Sequence, residues 1–195
     1  MSTLDHDSAR HLFAPDDHGL DDRIARHAAL GLGQPGHAPH HAFDQFAAEL
    51  AHGAARLTSS HSVPYAMVNL VGSAQHFIGL HNPVPDPQAP PGSGLPPVGR
   101  EMPRDMGFCP HVVGRQKALV LADVRAYPRY AGNPVVDQFG ILTYLGAPLI
   151  DSTGTVIGTV CVVGPEPRLW GQEGLHYIKQ RAVEAGDLIT RHIGP

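Results

Sequence analysis

Charge is sparse in this sequence. Of 195 residues, 16% are Asp, Glu, Lys or Arg, with 14 basic against 18 acidic side chains and a formal net charge of −4. That balance offers no basic excess to nucleic acid or to an anionic membrane surface. Cysteine occurs only at Cys109 and Cys161, too few for a disulfide framework and in keeping with a reducing compartment. No apolar run approaches the ~20 residues of a membrane span. The opening MSTLDHDSARHLFAPDDHG lacks the basic-then-apolar order of a secretory signal, so the expected location is cytoplasmic. No HExxH or Cys-x-x-Cys spacing occurs, which leaves no sequence-level metal site.

What is present suits one globular domain. Apolar residues make up 42% of the chain, and the length allows a substantial core. The 22 glycines and 19 prolines imply many stiff connections. The 14 histidines are scattered. His37, His40 and His41 cluster in a Gly/Pro-rich stretch that reads as a solvated loop rather than a metal site.

Residues 1–19 are polar without apolar period and read as a flexible tail, leaving 20–193 as a single domain. Apolar residues recur at three and four over 20–32, 42–57 and 172–193, predicting three helices. In the last, Leu175, Ile178, Ala182, Ala185, Ile189 and Ile193 form one stripe. That stripe suggests a dimer through the first and last helices. Strands are expected over 64–80, as two segments around Gly72-Ser73, and over 118–123, 143–150 and 155–163. Asp151-Ser152-Thr153-Gly154 supplies the last hairpin turn. The Pro/Gly-dense stretch 82–105 excludes a regular element and suggests a mobile lid. Residues 124–140 read as irregular, with a helical turn near 134–139. The order implies an α+β fold with a central antiparallel sheet of five or six strands. The N- and C-terminal helices would pack on one face, and the two excursions would cover a ligand pocket on the other.

The stretch GFCPHVVG (107–114) admits three chemistries: sulfur or imidazole ligation of haem or a metal, a reactive thiol, or a plain helix start. The local pattern favours the last. Gly107 breaks the loop, Pro110 suits a first helical turn, Phe108 can pack back as an apolar staple, and Cys109 sits at or near the N-cap. His111 is expected to face solvent. A thiol mechanism at Cys109 lacks a resolving partner unless Cys161, expected in a central strand, reaches it.

FCPHVV (108–113), LVLADVRAYPRYAGNPVV (119–136), YLGAPLIDSTGTVIGTVCVV (144–163) and Pro167-Arg168 resemble the motifs of GAF domains, the small-molecule sensor modules of bacterial signalling proteins. The resemblance covers roughly 20–193. It departs at Gly164, where the family often has Asp. The Asn-Lys-Phe-Asp-Glu signature of cyclic-nucleotide-binding members and the cysteine pattern of the methionine-sulfoxide-reducing members are not visible. The resemblance implies a stand-alone sensory protein, not an enzyme. It would bind a small molecule, pair as a homodimer through its terminal helices, and signal to a partner protein in trans, since the sequence stops at Pro195. Strand alternation places Met67, Asn69 and Val71 opposite the helix-covered face. The expected pocket residues are Asn69, Phe77, Cys109, Asp123, Phe139 and Tyr144. No cofactor is required. Haem or a linear tetrapyrrole is the alternative, with His111 or Cys109 as axial ligand to haem, and thiol redox chemistry at Cys109 is a further one.

Overall fold

The computed structural model describes residues 17–32, 40–58, 62–84 and 96–193. Six strands form one antiparallel sheet: β1 (Tyr65–Val71), β2 (Ala74–His81), β3 (Glu101–Pro103), β4 (Leu119–Leu121), β5 (Thr143–Ile150) and β6 (Val156–Gly164), in the order β3-β2-β1-β6-β5-β4. β1 and β6 sit at the centre, and every residue of both is buried. They therefore read as near-continuous apolar runs.

Three helices cover one face and one end of the sheet: α1 (Leu20–Ala29), α2 (His41–Leu57) and α6 (Gly171–Ile193). α1 carries Asp21 and Asp22 in its first turn and Arg26 and His27 in its last, the arrangement the helix dipole favours. Gly31, at φ 65°, turns the chain out of it. α2 buries Phe43, Phe46, Ala47, Leu50 and Ala54. Ile178, Ala182, Ala185 and Ile189 of α6 are buried against the chain's own sheet, in a core with Leu145, Leu149, Val160 and Val162. The stripe expected to pair two subunits is thus largely consumed within one chain. Asp17, placed in the tail by its sequence, is seated between Arg23 and Arg104.

On the opposite face the cover is irregular. α3 (Cys109–Arg115) lies across the sheet, followed by a 3₁₀ turn (Val124–Ala126), α4 (Pro128–Ala131) and α5 (Pro134–Phe139). Prolines open α4 and α5, where a missing N–H costs nothing. The described parts of the 82–105 excursion are less irregular than their composition implied. Residues 101–103 form β3 on β2, with Met102 opposite Gln75. An edge position tolerates Pro103. Asn82 clamps Val98 in both directions, accepting from its N–H at 2.9 Å and donating to its carbonyl at 3.1 Å. Residues 85–95, the centre of the expected lid, lie outside the described residues, as do 1–16, 33–39, 59–61 and 194–195.

Two β-bulges set which side chains face which side. One falls between Val68 and Asn69 against β2, the other between Leu149 and Ile150 against β6. Tyr65, Met67 and Val71 point to the irregular face, as do Phe77, Tyr144 and Cys161. Ala66, Val68 and Leu70 point to the helices.

Candidate functional site

Gly107, at φ 76°, delivers the chain into α3, and Asn133 fixes that entry. Its amide oxygen accepts from Gly107 N–H at 2.9 Å and from Val135 N–H at 3.2 Å, and its amide nitrogen donates to Gly107 carbonyl at 2.9 Å. Phe108 packs edge-on against Tyr144 and Tyr130, with ring centroids 5.3 and 5.9 Å away. Cys109, 6% exposed, then points down at the sheet.

It meets Cys161 on β6, with the two sulfurs 3.6 Å apart. The Tyr144 hydroxyl donates to Cys109 Sγ at 3.5 Å, and Cys161 Sγ lies 3.9 Å from Met67 Sδ. Gly146 makes this possible. It stands opposite Cys161 in the β5–β6 register, and the Tyr144 ring lies over it, in space a Cβ would fill. Asn69 and Thr159, paired across β1 and β6, complete the polar surround. Asn69 donates to Gln75 at 2.9 Å, and Gln75 donates to the Pro103 and Met106 carbonyls at 2.8 and 2.7 Å. Asn69 Oδ1 and Thr159 Oγ1 are buried without a hydrogen-bond partner.

Beside the sulfurs lies a cavity of about 40 Å³, lined chiefly by Met67, Phe77, Phe108, Phe139, Ile141 and Tyr144 together with both cysteines. Of the residues expected at a pocket, Phe77, Cys109, Phe139 and Tyr144 line this chamber, and Asn69 borders it through Gln75. Asp123 does not join them. It caps the 3₁₀ turn through Arg125 N–H at 3.0 Å and forms an ion pair with the Arg125 side chain at 2.8 Å.

Sequence reasoning passed over Gln75, Met102 and Asn133. Asn133 sits in the NP pair of a quoted motif, which was its only signal. Cys161, on the central strand β6, does reach Cys109, with the two sulfurs 3.6 Å apart. His111 is a correction. It is 2% exposed rather than solvent-facing, because α4 packs over it and places Tyr130 edge-on at 5.1 Å. Its Nδ1 has no partner. Burial first, then the Arg129 and Arg115 charges, push its pKa down to about 4.

The two thiols share their protons. The Cys161 S–H bonding to Cys109 pulls the Cys109 thiol down against its burial, with help from Thr159, Tyr144 and Asn69. Cys161, the second to ionise, is pushed well above the usual thiol range by that same bond and by burial. Burial likewise drives the Tyr144 hydroxyl up, so it stays a donor.

This architecture, a helix-backed antiparallel sheet with a chamber under short irregular helices, has known counterparts. A GAF domain family model matches residues 7–186. The chain belongs to the GAF domain family. A cyclic di-GMP phosphodiesterase of Pseudomonas aeruginosa is 36% identical over 70 residues, covering 35% of this chain and 12% of that protein. Among solved structures, the GAF domain of an Acinetobacter phosphoenolpyruvate-protein phosphotransferase superposes with a TM-score of 0.52 at 13% identity, over 93% of this chain and 99% of that one. The blue-light absorbing form of the Thermosynechococcus elongatus PixJ GAF domain gives 0.56 at 12%, over 77% and 86%. A free methionine-R-sulfoxide reductase of Thermoplasma acidophilum gives 0.50 at 13%, over 76% and 96%. At these identities the likeness is one of fold, a fold that serves sensory and enzymatic proteins alike. No helix among the described residues of this GAF domain is long and apolar enough to cross a membrane.

Proposed function

We propose that this GAF domain is a cytoplasmic sensory module whose ligand site is the sulfur-bearing chamber, with output to a partner protein in trans. The observation that carries this is the chamber itself: an apolar cavity lined by two thiols and by Tyr144, whose hydroxyl donates to Cys109, with Gln75 on its polar side. The cover consists of short helices, the kind of element that shifts when a ligand enters. A homodimer would use the outer surfaces of α1 and α6, where Ile24 and Val183 are exposed.

A haem or linear tetrapyrrole does not fit the residues present. A volume of about 40 Å³ is far smaller than a haem or tetrapyrrole, and His111 is packed on Tyr130 rather than lining the chamber. A thermal-melt screen of small polar and sulfur-seeking compounds tests the sensory reading. A melting-point rise that disappears in Phe77→Ala supports it. No rise with any compound, or a rise indifferent to chamber substitutions, contradicts it.

The 3.6 Å sulfur separation also favours a second reading, a thiol switch. A hydroperoxide would oxidise Cys109 to the sulfenic acid, releasing water or alcohol. The Cys161 thiol would then displace water to form the disulfide, two electrons having passed to the peroxide. Loss of two hydrogens in mass after peroxide treatment, reversed by a dithiol reductant, is the expected outcome. A stable sulfinic acid at Cys109 would count against it.

A further inference from the structure

The chain has two cysteines and four methionines. Met1 lies outside the described residues. Of the other five sulfurs, those of Met67, Cys109 and Cys161 lie in the core on the chamber side, and the half-buried Met102 and Met106 pack against it. The helix-side core is of comparable extent and has none. Cys and Met are ordinary core residues and would serve on either face, so burial alone does not explain their confinement to one.

Cys161 is within reach of two of the other sulfurs, Cys109 at 3.6 Å and Met67 at 3.9 Å. Three sulfurs arranged trigonally at metal–sulfur bonds of ~2.3 Å stand ~4.0 Å apart. Both separations are within a few tenths of an ångström of that value. The donor set is soft throughout. Among the described residues no group of three His, Cys, Asp or Glu could hold a metal, so the ligand set that structural zinc takes is not assembled here. Thiolate and thioether together select Cu(I)-type ions. Charge argues the same way. One monovalent cation and one thiolate are neutral together, which suits an apolar chamber. Tyr144 supplies the outer hydrogen bond to the Cys109 sulfur, the support that metal ligands commonly have.

We propose that Cys109, Cys161 and Met67 form a three-sulfur site for one soft monovalent metal ion of the Cu(I) or Ag(I) class. Binding replaces one thiol proton, which leaves to solvent, and the metal keeps its oxidation state. The proposal rests on the reading of the chamber as the sensing site, and names the ligand class for it.

The test uses the full chain, reduced and held free of oxygen. Ag(I), which does not oxidise thiols, is added in steps and followed by native mass spectrometry and by competition with a thiolate chelator. Cu(I) is measured in parallel against a chromogenic Cu(I) chelator. One ion per chain is expected, with a rise in melting temperature. Met67→Leu conserves volume and should weaken affinity by about tenfold or more, and Tyr144→Phe by roughly tenfold. Cys161→Ala should abolish one-to-one binding. Absence of one-to-one binding overturns the proposal. So does unchanged affinity in Met67→Leu, which should fold even if Cys161→Ala does not, and so does Zn(II) binding as tightly as Ag(I). If an organic compound binds the chamber while Ag(I) does not, the sensory reading stands and the metal site falls.

Discussion

Cys109 Sγ and Cys161 Sγ lie 3.6 Å apart although 52 positions separate them in the chain. Two distant constraints bring them together. Asn133 pins Gly107 and so aims the start of α3 at the sheet. On the sheet, Gly146 leaves room opposite Cys161 for the Tyr144 ring. The sulfurs meet where a helix start crosses the central strand.

Both thiols are buried, so the folded protein should react slowly with an alkylating reagent at neutral pH, and both should react together once it unfolds. Reaction rates measured with and without denaturant check this. Rapid labelling of Cys109 alone in the folded state would mean that α3 opens readily.

Removing Asn133 should loosen α3. Asn133→Ala leaves the N–H and carbonyl of Gly107 without their partner, a loss of about 2 kcal/mol or more, and should speed alkylation of Cys109. Asn133→Asp keeps the acceptor but loses the donor to Gly107, and should fall between the two. Urea denaturation gives the stabilities. An alanine variant as stable as the parent would show that Gly107 is held by something else.

Gly146→Ala should displace the Tyr144 ring, at a cost in the usual ~1–3 kcal/mol range for overpacking a core. Tyr144→Phe should cost less, since it removes only the contact to Cys109 at 3.5 Å. If the double variant Gly146→Ala, Tyr144→Ala recovers stability relative to Gly146→Ala alone, the clash is the cause. Equal destabilisation in single and double variants would place the strain elsewhere.

His111 makes the fold acid-sensitive. Its pKa is held down to about 4 in the folded chain against an unfolded value near 6.5, so the unfolded state binds more protons between those limits. The stability from a neutral His111 is therefore complete above about pH 6.5 and declines as pH falls towards 4, by on the order of 3 kcal/mol. His27 and His81, both shifted down by burial, act in the same direction. Denaturation at pH 7 and pH 4.5 should show a loss that His111→Phe reduces. A flat pH profile would contradict the buried, neutral assignment.

Much of the fold was legible because its signals are local. Gly72-Ser73 and Asp151 to Gly154 mark the two hairpins, and alternation from Ala66 to Val71 sorted β1 correctly between its faces. Asn69 was placed on the chamber side by that alternation, and Tyr144 by its position at the start of a strand. Other features depend on tertiary packing. His111 looked like a surface residue because nothing in its own helix reveals that Tyr130, 19 positions later, folds over it. Asp123 looked like a pocket residue because it ends a strand, yet its own neighbour Arg125 takes both its oxygens. The meeting of Cys109 with Cys161 required knowing which part of β6 lies beneath α3. Glu101 to Pro103 pair with β2 although proline density argued against any regular element there.

Native mass spectrometry of the protein purified from its own host tests the central claim, that the chamber is a binding site. The account predicts a bound species in stoichiometric amount, lost when Phe77 or Cys161 is replaced by alanine in a variant that still folds. A bare chain mass under gentle conditions, or a bound species unaffected by both substitutions, would contradict it.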